Sequence, residues 1–273
     1  MKGNEERTRK AYASNPDKEW IRLKKDSFHR LEFDTTMRYL KKYLPKKGLV
    51  LDAGSGPGRY SIELAKIGYD VVLLDLTKEL LDIAQKEIKK ARVNNKIKGF
   101  YEGSISDLSI FEDESFDAVL CLGGPLGHVV GRKKRNAAFG ELKRVAKKGA
   151  PICVSVIGRL AAIRGMQIYY PQELENTRNI GSILETGDDY GWHGGIYCHL
   201  FMHDEIVGLF RKNGIEPIES VGLEGLAIRG DQGINRHSGN SKIWKNWLRV
   251  HENLCTNPTV VDSSEHFLVI GKK

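Results

Sequence analysis

Residues 50–60 read Val-Leu-Asp-Ala-Gly-Ser-Gly-Pro-Gly-Arg-Tyr, and no other stretch constrains the fold so tightly. The apolar run beginning at Leu49-Val50-Leu51 has the length and composition of a buried strand, and Arg59 to Lys66 reads as a helix. Glycines at 54, 56 and 58 lie between them. They let the main chain turn tightly and let a ligand approach without meeting a Cβ atom. Amides at the start of the next helix favour negative charge. The chain must therefore place a buried strand, a ligand-ready turn and a helix in immediate succession.

The same alternation continues. Val71 to Leu74 reads as a strand, and Thr77 as the N-cap of a helix through Ala91. Ile97–Glu102, Phe116–Leu122 and Pro151–Ile157 read as further strands, with a basic helix between the last two. Short apolar strands alternating with helices imply a parallel sheet covered on both faces. Later in the chain, His203–Asn213 reads as a helix, and Ile215–Val221 and Glu265–Ile270 as strands. Residues 158–200 and 225–262 read as irregular insertions, the second with a short helix near Ile243–Leu248. At the carboxyl ends of parallel strands such insertions are placed to form a substrate lid. Upstream, residues 16–44 read as two helices: Phe33, Met37, Leu40 and Leu44 make one apolar stripe, ended by Pro45 to Gly48. The expected organisation is an N-terminal helical arm over 1–45 and one α/β domain over 46–273.

Composition narrows the function classes. The 273 residues carry a formal charge of +8. Residues 1–48 hold 14 basic and 7 acidic side chains, so the excess is almost wholly in the arm. A second cluster, Arg132 to Lys148, reads as a solvated helix face. No recognisable RNA-binding module is present, so a nucleic-acid partner is not the expected one. Cys121, Cys153, Cys198 and Cys255 lack CxxC spacing. That argues against a zinc site or disulfide framework and for a reducing, cytoplasmic compartment. Met1 to Lys10 has no apolar core, so no secretory leader is expected there, and no apolar run is long enough to span a membrane.

The site chemistry follows from spacing. The glycine order is GxGxG, not the GxGxxG of dinucleotide enzymes. Asp52, two residues before the first glycine, would repel a pyrophosphate but suits a ligand bearing an ammonium group. Asp75 ends the second strand, where a carboxylate can accept hydrogen bonds from both ribose hydroxyls. The two together favour a nucleoside carrying an amino acid.

With Asp52, Gly54, Ser55, Gly56, Gly58 and Asp75 in place, the segment resembles motif I of the class I S-adenosylmethionine-dependent methyltransferases. The resemblance covers residues 48–158 and implies a Rossmann-like seven-stranded, mostly parallel sheet with an antiparallel last strand, fitted by Glu265–Ile270. It implies S-adenosyl-L-methionine as cofactor and no metal. Leu76 would adjoin the ribose carboxylate. Gly103 to Leu108 is similar to the adenine loop, in which Ile105 would contact the base and either Ser104 or Asp107 would read its amino group. Leu122 and Gly123, at the end of the fourth strand, would lie beside the sulfonium. Gly123-Gly124-Pro125-Leu126 differs from the Asn/Asp-Pro-Pro-aromatic motif of amino-directed base methyltransferases.

Methyl transfer from a sulfonium is an in-line displacement, and a base is needed only if the acceptor must lose a proton. His128 and His199 are the preferred base candidates by position, with His193 and His203 nearby. Tyr169, Tyr170, Tyr190, Trp192 and Tyr197 are lid candidates able to stack on an acceptor. Tyr12, Trp20 and Arg22 of the arm are placed to fold over the cofactor, with Arg22 able to meet the methionine carboxylate. The expected function is methyl transfer to a small-molecule acceptor. The alternatives are a nucleic-acid or protein methyltransferase and a non-catalytic cofactor-binding module.

Overall fold

In the computed structural model, residues 2–191, 195–230 and 233–273 are described. Trp192 and His193 lie outside them. The strands are β1 (Leu49–Ala53), β2 (Asp70–Asp75), β3 (Ile97–Glu102), β4 (Ala118–Cys121), β5 (Pro151–Ile157), β6 (Asp188–Asp189), β7 (Cys198–His199), β8 (Pro217–Gly222) and β9 (His266–Lys272). Seven form one sheet in the order β3-β2-β1-β4-β5-β9-β8, and β6 pairs with β7. Strands β1 to β5 are parallel to one another, whereas β9 runs antiparallel to both β5 and β8. Strand order reverses between β1 and β4, which opens a crevice beyond their carboxyl ends.

Strand residues alternate between two cores. Val50, Val71, Leu73 and Leu120 pack on one face with α3 (Ser27–Tyr43), α4 (Arg59–Lys66) and α5 (Lys78–Ala91). Leu51, Val72, Leu74 and Val119 pack on the other with α6 (Arg132–Val145) and α9 (His203–Lys212). The expected arm stripe is real: Phe33, Met37, Leu40 and Leu44 are all buried. Leu40 is 0 % exposed, a burial worth about 1.5–3 kcal/mol. β3 has the weakest apolar pattern because it is an edge strand, half covered.

The structure corrects three expectations. The two helices expected over 16–44 are α2 (Pro16–Arg22) and α3, but a further helix, α1 (Lys2–Ala13), whose charged sequence carries little amphipathic signal, precedes them. Residues 158–200 are not irregular; they contain α7 (Arg159–Tyr169), α8 (Thr177–Thr186) and the β6–β7 pair. Residues 225–262 contain α10 (Ser241–Leu254) and α11 (Pro258–Ser263). α7 carries little amphipathic signal, whereas α8 and α10 are amphipathic, and the short helix expected near Ile243–Leu248 is the middle of α10. Met166, Ile183 and Leu200 form one small core, while Trp244, Trp247 and Leu248 lie against another built from Phe28 and Leu31.

Candidate functional site

The three glycines of the turn have different jobs. All have positive φ: 81° at Gly54, 52° at Gly56 and 77° at Gly58. A Cβ at Gly54 would lie 2.4 Å from Pro125 Cγ, so Gly54 admits the loop after β4. A Cβ at Gly58 would press on Leu73 and Ala84 at 3.1 Å, so Gly58 lets α4 pack close. At Gly56 nothing lies within 4 Å, so its exposed backbone faces open space. The turn is pinned to β2 by Gly54 and Ser55, whose N–H groups both donate to the Leu74 carbonyl.

Asp75 sits against this turn. Its Oδ2 accepts the Gly56 N–H at 2.7 Å and its Oδ1 accepts the Thr77 N–H at 2.8 Å. Burial pushes its carboxyl up to about 6, with these two hydrogen bonds opposing the rise. Asp52 is 1 % exposed and accepts the Ser61 hydroxyl at 2.6 Å. Burial pushes it up to about 6 as well, opposed by Ser61. Asp52 thus braces the turn from beneath, tying β1 to α4.

The adenine-loop residues separate. Ile105 is buried, and Ser104 Oγ donates to Glu5 Oε1 of α1 at 2.8 Å. Asp107 is exposed and holds the Ser109 N–H at 3.1 Å, turned to its own loop. Leu76 lines a groove of about 500 Å³ with Gly3, Glu5, Glu6 and Arg9. Leu122 is buried, and Gly123 donates its N–H to Ser155 Oγ at 2.7 Å.

The arm lies over this crevice. Glu5 reaches Ser104, and Asn4 donates to the His128 carbonyl. Tyr12 Oη lies 3.0 Å from His128 Nε2. His128 Nδ1 is 2.9 Å from the Tyr197 carbonyl, which only accepts, so Nδ1 carries the proton and Nε2 accepts from Tyr12. Burial lowers the His128 pKa and keeps the ring neutral. Arg59, first residue of α4, stacks on Trp20 with its guanidinium carbon 3.2 Å from the ring centroid and donates to the Trp20 carbonyl. That contact clamps the arm to the helix that the glycine turn opens.

His199 is a correction. Its Nδ1 meets Asp188 at 2.7 Å and its Nε2 meets Glu205 at 2.6 Å, with the ring 0 % exposed. With both nitrogens held by carboxylates it has none to offer an acceptor, so it is a structural group. The lid tyrosines do not converge either. Tyr197 is buried and bonded to Asp188 and Arg135, Tyr169 donates to the Arg229 carbonyl, and Tyr170 and Tyr190 are exposed. The basic cluster on α6 is partly internal bracing: Arg135 is 5 % exposed, and Arg144 donates to the carbonyls of Leu108 and Phe111. In the arm, Arg22, Arg30, Arg38 and Lys42 pair with Glu32, Asp34, Glu252 and Glu219.

A group missed at the sequence level lies beside the crevice. Arg22, Glu32, Glu224 and His266 form one charged cluster at the carboxyl ends of the strands. Glu32 and Glu224 are each 1 % exposed. No spacing rule joins residues so far apart in the chain.

Together the fold and turn define a Rossmann-like domain whose crevice suits a nucleoside bearing an amino acid. Residues 50–149 match the family described as methyltransferase domain. An uncharacterised methyltransferase of Schizosaccharomyces pombe is 32 % identical over 149 residues, 52 % of this chain and 50 % of that protein. The chain thus spans about half the length of this curated relative. A SAM-dependent methyltransferase of Methanosarcina mazei has a similar fold, with TM-score 0.58 and 22 % identity over 86 % of this chain and 96 % of that one. So does the 1,6-didemethyltoxoflavin N1-methyltransferase of Burkholderia thailandensis, solved with its substrate and S-adenosylhomocysteine. Its TM-score is 0.56 at 14 % identity, over 97 % and 87 % of the two chains. Residues 50–149 are thus similar to a methyltransferase domain in sequence, and the chain shares the fold of solved methyltransferases.

Proposed function

We propose that this protein transfers a methyl group from S-adenosylmethionine to a small-molecule acceptor that loses a proton on methylation. The observation that carries this reading is the Tyr12–His128 pair, a neutral imidazole beneath a helix that covers the crevice. The residues present fit the cofactor. Gly56 leaves backbone open to an approaching group, Asp75 presents a carboxylate beside it, and Ile105 and Leu76 supply apolar surface for a base. When bound, the cofactor supplies an activated methyl on sulfur, so the protein's task is orientation and proton management.

Asp75 would hold the ribose, Ser104 would read the adenine edge, and Arg22 would meet the amino-acid carboxylate. Gly123 and Leu122 would border the reacting end. His128 Nε2 takes the Tyr12 hydroxyl proton as Tyr12 accepts one from the acceptor, and its Nδ1–H stays on the Tyr197 carbonyl throughout. The burial that keeps His128 neutral keeps it basic in form at neutral pH. The arm lies across the crevice through Glu5–Ser104 and Tyr12–His128, a covering that favours a small acceptor over a polymer. The Burkholderia enzyme that shares this fold was solved with 1,6-didemethyltoxoflavin bound.

The test is incubation with methyl-labelled cofactor and a fractionated metabolite extract. Label should enter a small metabolite fraction. His128→Asn should lower turnover by about 10²–10⁴ and leave S-adenosylhomocysteine affinity intact. Label appearing only in nucleic acid or protein refutes the small-acceptor reading. Full turnover in His128→Asn refutes the base.

A further inference from the structure

The buried cluster beside the crevice joins parts of the chain that the crevice alone does not require. Arg22 of α2 makes a two-pronged ion pair with Glu32 of α3, at 2.6 and 3.0 Å. His266, at the start of β9, places Nδ1 2.8 Å from Glu224 Oε1 and 3.8 Å from Glu32 Oε2. Glu224 Oε2 accepts the Ser264 hydroxyl and the His266 backbone N–H. On its other side, Arg22 Nη2 lies 3.7 Å from the position a Cβ would take at Gly123. The cluster therefore runs without a break from the end of β4 to the insertion after β8.

The geometry points to His266 as a positioning residue for cofactor binding: held between Glu32 and Glu224, it fixes the carboxylate that aims Arg22 at the end of β4. This rests on the cofactor reading above, in which Arg22 meets the amino-acid carboxylate. Two buried carboxylates so close to each other are stable only with two cations beside them. Arg22 is one, and the His266 imidazolium is the other. Burial alone would lower the His266 pKa, but Glu32 and Glu224 outweigh it and raise it to about 9, against the opposing charge of Arg22. Other charges nearby are Glu19, whose Oε2 lies 3.6 Å from Arg22 Nε, His29, which faces Glu32 and is paired with Asp26, Glu265, next along the chain, and Arg229, which pairs with Glu265 at 3.4 Å. Loss of the His266 proton adds one unit of negative charge behind Arg22, where the ligand brings its own carboxylate.

Calorimetric titration of the full chain with S-adenosylhomocysteine, from pH 7 to pH 10, tests this. His266→Gln should bind about tenfold more weakly than wild type at pH 7.5, since one charge close to another in partly buried surroundings is worth at least that factor. The gap should close toward pH 10, as wild type loses the same charge; the ligand's own ammonium titrates equally against both. Glu224→Gln should move the wild-type fall to lower pH by removing one of the two carboxylates that hold the proton. A structural role alone would lower the melting temperature of His266→Gln and leave the affinity gap the same at every pH, and that result overturns the proposal. Equal affinity of His266→Gln and wild type overturns it too. So does a stoichiometric divalent metal in the purified protein that is lost when Glu32, Glu224 or His266 is replaced. Wild type that binds no S-adenosylhomocysteine defeats the cofactor reading first; wild type that binds normally while His266→Gln is unaffected defeats only this one.

Discussion

Replacing Asp75 by Ala probes the crevice most directly. The carboxylate already accepts the N–H groups of Gly56 and Thr77, each through one oxygen. Each oxygen keeps a second lone pair for a ribose hydroxyl. Hydrogen bonds to a charged group contribute about 1.5–3 kcal/mol each. Loss of two at the low end is about 3 kcal/mol, or roughly a hundredfold in affinity. The raised pKa adds a signature. Only the ionised form accepts from both hydroxyls, and burial pushes Asp75 up to about 6. At pH 8 the group is ionised and the full penalty should appear. At pH 5 only about a tenth of the free protein is ionised, so wild-type binding itself weakens and the penalty shrinks about tenfold. Binding at pH 5–6 should also release a proton, visible in calorimetry as a dependence of the measured heat on buffer ionisation enthalpy. Asp52, also near 6, complicates the proton count, so the comparison is repeated on an Asp52→Asn background. An S-adenosylhomocysteine affinity unchanged in Asp75→Ala refutes the ribose assignment. A loss of the same size at pH 5 and pH 8 refutes the argument from ionisation.

Gly56→Val should abolish S-adenosylhomocysteine binding yet cost only about 1–2 kcal/mol of stability, from the positive φ rather than from a clash; retained binding in calorimetry would place the site elsewhere. Gly54→Val should instead lower the melting temperature sharply, because its Cβ meets Pro125 at 2.4 Å. His199→Leu should lower the melting temperature by removing the bridge between Asp188 and Glu205, which keep Tyr197 and Arg159 as partners, with ligand affinity unchanged. Tyr12→Phe should shift the pH dependence of methyl transfer and leave His128 in place; a pH profile matching wild type would remove Tyr12 from the proton path.

Much of the fold was legible because its signals are local. A buried strand must be apolar and a strand-to-helix turn with positive φ must be glycine-rich, so β1, α4 and the crevice between them follow from eleven residues. Asp75 was legible for the same reason, since the end of a strand two residues before a helix has a known place in a parallel sheet. Where packing replaces periodicity the signal fades. α1 carries charges on all sides and is held by Glu5, Asn4 and Tyr12 reaching across to other elements. α7 and α8 share a core with β7, a partner that no window of sequence contains. Histidines were the least legible. His128 and His199 look alike in sequence, and only their partners, a carbonyl and a tyrosine for one and two carboxylates for the other, tell them apart.

The chain by itself determined the alternation of strands and helices from β1 to β5, the glycine turn and the carboxylates that flank it, because each depends on neighbours within a few residues. The sheet order only narrowed the rest. Tertiary structure alone decided that the basic arm lies over the crevice, that Tyr12 meets His128, and that Arg22, Glu32, Glu224 and His266 share one buried cluster. Charge in a sequence is a sum, whereas the energy of a charge depends on distance and burial, and both exist only after the chain has folded.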